Sequence, residues 1–88
     1  MNYYLFTYPN CEKCQALKDC LSELGIEAEE LNLVFKKSKM KIREFLPFLR
    51  RDEKGGIIIP TLIVEEEGRV EAVVNKPPEL EDWLKSRD

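Results

Sequence analysis

Two cysteines separated by two residues, Cys11 and Cys14, stand where an aromatic, apolar run gives way to a helical pattern. No other stretch constrains the fold as much. Tyr3 to Tyr8 is almost continuously apolar, which predicts a strand covered on both faces and therefore central in a sheet. Pro9-Asn10 signals a turn. From Glu12 to Leu24 the residues Cys14, Leu17, Leu21 and Leu24 recur at helical spacing, and Gly25 supplies a stop. Asn10 or Cys11 is the expected N-cap, and Glu12 suits the first turn. A thiol there meets free backbone N–H groups and the positive end of the helix dipole, both of which favour its thiolate. The second thiol lies about one turn further on, within reach of a mixed disulfide formed at the first. The pair therefore points to thiol–disulfide exchange.

Further along, Ile26 to Val34 reads as a second strand. Its alternation is broken, with Ile26 and Ala28 on one parity and Leu31 and Leu33 on the other, so it is expected at a sheet edge. Strand, helix and strand at this length form a βαβ unit, which makes the two strands parallel. Lys36 to Asp52 is a second helical region with Ile42, Phe45, Leu46 and Leu49 on one face. Pro47 should kink it or divide it after Leu46. Strands are expected at Thr61 to Glu66 and Arg69 to Val74, joined by a hairpin turn at Glu67-Gly68, with Val70, Ala72 and Val74 facing inward. Pro77-Pro78 opens a last helix with an apolar stripe of Leu80, Trp83 and Leu84. The order is β-α-β-α-β-β-α, an α/β arrangement with a four-stranded mixed sheet and three flanking helices, in one domain over residues 1–88.

Composition removes several functions. With 14 basic and 17 acidic residues, net −3, the chain lacks the basic excess of a nucleic-acid binder. Its longest apolar stretch, Ile57 to Val64, is broken by Pro60 and Thr61 and is too short to span a bilayer. Met1 is followed at once by strand-like sequence, without a basic segment and a long apolar one, so no secretory leader is expected and the default location is cytoplasmic. Structural disulfides are rare there, so a close cysteine pair is redox-active or metal-binding. There is no histidine, which removes Cys-His nucleophiles and imidazole metal sites. Three cysteines cannot complete a four-thiolate zinc site within one chain. The third, Cys20, flanks the apolar stripe about nine helical residues from Cys11, ~13 Å along the axis, and reads as a half-buried structural thiol.

With Cys11-Glu12-Lys13-Cys14 after the first strand and Ile59-Pro60-Thr61 opening the third, the chain resembles a glutaredoxin, a minimal form of the thioredoxin fold. The resemblance covers essentially the whole length. It implies a dithiol oxidoreductase in which Cys11 attacks a substrate disulfide and Cys14 resolves the intermediate. It also implies a cis peptide bond at Pro60, facing the cysteines, so that Ile59 and Thr61 offer backbone contacts to substrate. Tyr8 would lie at the rim as a further substrate contact. The redox-active disulfide would be the only prosthetic element, with no metal. Partners would be disulfide-containing proteins or small molecules, with glutathione or a thioredoxin-reductase-type protein as electron donor.

The sequence departs from the family where glutathione is held. A Gly-Gly and acidic residue usually follow the fourth strand, whereas Val74-Asn75-Lys76-Pro77-Pro78-Glu79 stands here, so the glutathione motif is not evident. The Pro-Asn-Cys lead-in is closer to glutaredoxin-like redoxins that draw electrons from thioredoxin reductase. In glutathione users a base in the second helix meets the peptide's carboxylate, a role for which Arg43 or Lys39 is the candidate. The alternative is a non-catalytic protein on the same scaffold, holding a metal or iron–sulfur cluster between chains.

Overall fold

The computed structural model describes residues 1–87. Strand β1 (Asn2–Thr7) leads through the cysteine turn into helix α1 (Glu12–Glu23), and β2 (Glu29–Asn32) follows. Helix α2 (Lys36–Ile42) continues directly into a 3₁₀ helix (Arg43–Phe48). Then come β3 (Thr61–Glu66), β4 (Arg69–Val74) and α3 (Pro77–Ser86). The strands form one mixed sheet in the order β2-β1-β3-β4, with β1 parallel to β2 and antiparallel to β3. The α/β fold and the expected element order are therefore those observed, with β1 inside the sheet and β2 at its edge.

Both sheet faces are covered, which is why β1 and β3 are apolar at successive positions. Leu5, Leu62, Val64 and Val74 pack on one face beneath Leu17 and Leu21 of α1 and Leu80 of α3. Phe6 and Ile63 pack on the other beneath Ile42, Phe45 and Leu49. Each fully buried Leu, Ile or Phe contributes roughly 1.5–3 kcal/mol relative to exposure, so α1 is held mainly by its apolar stripe. Trp83 joins the first cluster and meets Tyr3 edge to face, ring centroids 6.4 Å apart.

Four sequence expectations shift in detail. Leu24 caps α1 and is exposed, while Cys20 takes the inward position, because the helix ends at Glu23 with Gly25 in the left-handed region at φ +72. The second strand pairs only over Glu29–Asn32; Ile26 and Ala28 pack on the α1 side of the core without entering the β1 ladder. The second helical region tightens at Arg43 rather than dividing after Leu46, and Leu46 is exposed. Arg43 is the residue whose carbonyl an α-helical Pro47 ring would strike. Finally, a register shift at Val64/Glu65 sends Val70 to the face opposite Ala72 and Val74. The hairpin turn is as expected, with Glu67 and Gly68 both at positive φ (51 and 79).

Candidate active site at the Cys11–Cys14 turn

The sheet brings four segments to one edge. Thr7 pairs with Asn32 at the ends of the parallel strands, Phe6 pairs with Thr61 where β3 begins, and Leu62 pairs with Val74 where β4 ends. Residues 8–11, 33–35, 58–60 and 75–76 therefore lie along the same rim.

Asn10 takes the left-handed conformation at φ +53, a region Asn tolerates better than most residues, and this turns the chain into α1. Cys11 then serves as the N-cap with extended backbone (φ −111, ψ 108). Its Sγ accepts the Cys14 N–H at 3.1 Å, and its carbonyl accepts the Gln15 N–H at 3.1 Å. The sulfur thus occupies the position where a helix end stabilises negative charge. Cys11 and Cys14 are disulfide-bonded, Cα atoms 5.2 Å apart. Their exposure differs: Cys11 is half-buried, whereas Cys14 is 3% exposed. An incoming sulfur can reach the first but not the second.

Beside the pair lies an open cleft of about 430 Å³, walled by Tyr8, Cys11, Cys14, Lys18, Glu30 and Asn32 among others. Tyr8 is 52% exposed at its rim. Thr7, buried in β1, donates its hydroxyl to Glu30 Oε2 at 3.0 Å, and Lys18 Nζ meets Glu30 Oε1 at 2.9 Å. The Lys18 hydrogen bond, helped by Thr7 and opposed by partial burial, holds the Glu30 carboxyl below its ordinary pKa. Through Glu30 and Asn32 the cleft continues into a groove lined by Phe35, Lys36 and Lys37. Lys18 is the base in the cleft itself and Lys36 and Lys37 line the groove beyond it, whereas neither Arg43 nor Lys39 lines the cleft or the groove. The two remain surface residues on the second helical region.

Ile59, Pro60 and Thr61 belong to the same rim but are not among the walls of the cleft. The Ile59–Pro60 bond is cis. Pro60 and Thr61 are buried and Ile59 is half-buried. The Thr61 side chain points inward and donates to the Ile58 carbonyl at 2.6 Å, so Thr61 can meet a substrate through its backbone alone. Behind this loop stands a residue that sequence reasoning noted only as a missing glycine. Asn75 is 7% exposed and donates through Nδ2 to Pro60 O (2.9 Å), Thr61 Oγ1 (2.9 Å) and Ile58 O (3.3 Å). Arg50 Nη1 donates to Asn75 Oδ1 at 3.1 Å and also pairs with Glu79. Glu79 Oε1 accepts the N–H groups of Asn75 (2.7 Å) and Lys76 (3.2 Å). The legible part of this signal was Glu79 three residues after Lys76, which makes the returning half of a capping box; a lysine side chain has no acceptor for the other half.

Cys20 is buried in the α1 face of the core and takes no part in the site. Among the described residues no three His, Cys, Asp or Glu side chains converge as metal ligands. Cys11 and Cys14 supply two thiolates between them. Among the described residues no helix is long and apolar enough to cross a membrane.

No family model matches the sequence, and no curated protein matches it. Solved structures do. The crystal structure of the thioredoxin-like protein BC3987 aligns with 93% of this chain and 99% of that one, at TM-score 0.59 and 21% identity. A mutant of the same protein aligns with 94% and 99%, at TM-score 0.60 and 20% identity. The fold is thioredoxin-like. On a thioredoxin-like fold, a Cys-x-x-Cys pair within disulfide reach at the first helix is compatible with thiol–disulfide oxidoreduction. The likeness supports a thioredoxin-like fold, not glutaredoxins in particular.

Proposed function

We propose that the chain is a dithiol thiol–disulfide oxidoreductase, a glutaredoxin-like electron carrier working in the cytoplasm. The observation that carries this reading is the asymmetry of the pair: an accessible sulfur at the helix N-cap, with its partner buried directly behind it. In the reduced protein the Cys11 thiolate attacks one sulfur of a substrate disulfide. A mixed disulfide forms and the other substrate sulfur leaves as a thiolate. Cys14, losing its proton, then attacks Cys11 Sγ, which forms the Cys11–Cys14 disulfide and releases the second substrate sulfur. The substrate gains two electrons and the protein loses them; of the two protons that make the substrate a dithiol, Cys14 releases one and solvent supplies the other. An external thiol or dithiol, glutathione or a thioredoxin-reductase-type donor, restores the reduced pair by the same exchange in reverse.

Substrates are disulfides in proteins or small molecules. Tyr8 contributes a rim contact, and the backbone of Ile59 and Thr61 pairs with an extended segment. A reduction potential between about −200 and −270 mV, the span of glutaredoxins and thioredoxin, suits this role.

The test is alkylation of the reduced native protein from about pH 4 to pH 10, read by peptide mass. The expected result is that Cys11 reacts alone, with an apparent pKa below the ~8.5 of a free thiol, and that oxidation protects both cysteines together. If both thiols titrate like free cysteine, or become reactive only after a chelator is added, the reading fails.

A further inference from the structure

The inference below rests on the oxidoreductase reading and concerns how that site meets a protein substrate. We propose that Asn75, gripped by Arg50 and Glu79, is a positioning residue for the Ile58–Thr61 loop. It would hold the backbone of Ile59 ready to pair with an extended segment of a protein disulfide substrate.

The hydrogen bonds divide the loop residue by residue. Asn75 Nδ2 draws in the carbonyls of Ile58 and Pro60 and the hydroxyl of Thr61. The Ile58 N–H donates to the Arg50 carbonyl at 3.1 Å. Ile59 stands between these tied residues, and among the described residues neither its N–H nor its C=O makes a hydrogen bond. A free donor and a free acceptor on one residue of a fixed loop are what an added strand requires.

The supports of Asn75 fix its orientation as well as its place. Its Oδ1 faces the Arg50 guanidinium, a donor, and its Nδ2 faces three acceptors, so the amide fits in only one sense. Arg50 holds the loop twice, through its side chain to Asn75 and through its carbonyl to Ile58. Glu79 fixes Asn75 from the start of α3 by accepting its main-chain N–H. These contacts lie behind the loop and not on the cysteines. Their loss should therefore weaken recognition of a chain more than attack on a sulfur. A small aromatic disulfide needs Cys11 alone, whereas a protein disulfide also needs the loop.

Asn75→Asp separates the two. It keeps the shape and the Arg50 partner but turns an acceptor toward the carbonyls of Ile58 and Pro60, and toward a Thr61 hydroxyl whose proton is already given to Ile58. Turnover of insulin and of a small aromatic disulfide would be compared, together with backbone amide exchange at residues 58–61. The ratio of insulin to small-disulfide kcat/KM should fall about tenfold, the worth of one well-made hydrogen bond, mainly through KM. Amide exchange in the loop should quicken, and the apparent pKa of Cys11 should not move. If Asn75→Asp fails to fold, Glu79→Gln, which weakens the grip from the rear, should shift the ratio less but in the same direction. An unchanged ratio in the variant that folds, or equal loss with both substrates, would overturn the inference and leave the network a purely structural one. A wild-type protein inert toward both disulfides would instead sink the oxidoreductase reading, before any variant is measured.

Discussion

Around Cys11 the chain keeps polar groups half-exposed and lightly bonded, while across the same rim the loop before β3 has most of its polar atoms tied down. On the cysteine side one N–H reaches the sulfur, and the nearest ion pair, Lys18–Glu30, stands in the open cleft. On the loop side a single buried amide satisfies three acceptors and is itself held by a guanidinium and a carboxylate. The contrast follows from what each side must do. A sulfur that forms and breaks bonds has to be reachable and has to accept charge in two states. A loop that presents backbone must not move, and buried polar groups fix a geometry only when every partner is supplied.

The sharpest test of that division is removal of the sulfurs. Cys11→Ser should abolish exchange with any disulfide, and Cys14→Ser should still attack but accumulate mixed disulfides with protein substrates. Both are read by intact mass after incubation with an oxidised target. Turnover in Cys11→Ser would move the chemistry off the exposed cysteine and erase the contrast.

Next in size is Leu17→Ala. Leu17 is fully buried on the stripe that fastens α1 to the sheet. The substitution should cost ~2–5 kcal/mol of unfolding free energy, the range for buried leucines truncated to alanine. Denaturant unfolding checks it. A loss well under 1 kcal/mol would show that the cysteine side does not depend on packing in the way argued.

Much of this architecture was legible in the sequence, and the two sides of the rim differ in that respect too. The cysteine turn announced itself locally: strand, Pro-Asn, Cys-x-x-Cys and helix are neighbours in the chain, and β1, α1 and the hairpin came out within a residue or so. The inward face of α1 was read with Leu24 where Cys20 belongs, because the choice depends on where α3 and the sheet approach and not on periodicity. The role of Asn75 was not legible. Glu79 is four residues away, but the partners of the Asn75 side chain lie 14 to 25 residues away and Arg50 reaches 29 residues to Glu79, so no short window of sequence contains the network. Glu30 falls in the break in alternation between Ala28 and Leu31, where periodicity assigns it no face, yet its pairing with Leu5 sets it on the α1 face beside Lys18.

A smaller effect compares the two carboxylates. Partial burial pushes the Glu79 carboxyl up, but the Asn75 and Lys76 N–H groups and Arg50 outweigh it and leave the pKa below the ordinary value. Glu30 is lowered chiefly by Lys18. A carboxyl with a depressed folded pKa adds stability above its unfolded pKa of about 4.3, and that stability is lost as pH falls through the folded value. Both pairs are substantially exposed, so each contribution falls within the ~0–1 kcal/mol of surface ion pairs. Glu79→Gln should flatten the acid limb of stability more than Glu30→Gln, because Glu79 also accepts two backbone N–H groups. Urea titrations between about pH 2 and pH 7 read the difference. A larger loss at Glu30 would mean that the open cleft, and not the loop support, is the more tightly built of the two.

The smallest expected effect concerns the thiol that belongs to neither side. Cys20 shares α1 with the redox pair yet is 9% exposed, and burial first, then the charges of Glu81 and Glu23, raise its pKa. A raised pKa and a covered sulfur leave little thiolate at neutral pH and no path to it. Native Cys20 should therefore resist iodoacetamide under conditions that label Cys11 in full, and Cys20→Ala should leave the exchange rate unchanged. If Cys20 is labelled alongside Cys11, then α1 opens from the sheet on the timescale of the reaction. The cysteine side would then be mobile as well as accessible, and the exposure difference between Cys11 and Cys14 would no longer be enough to decide which sulfur attacks.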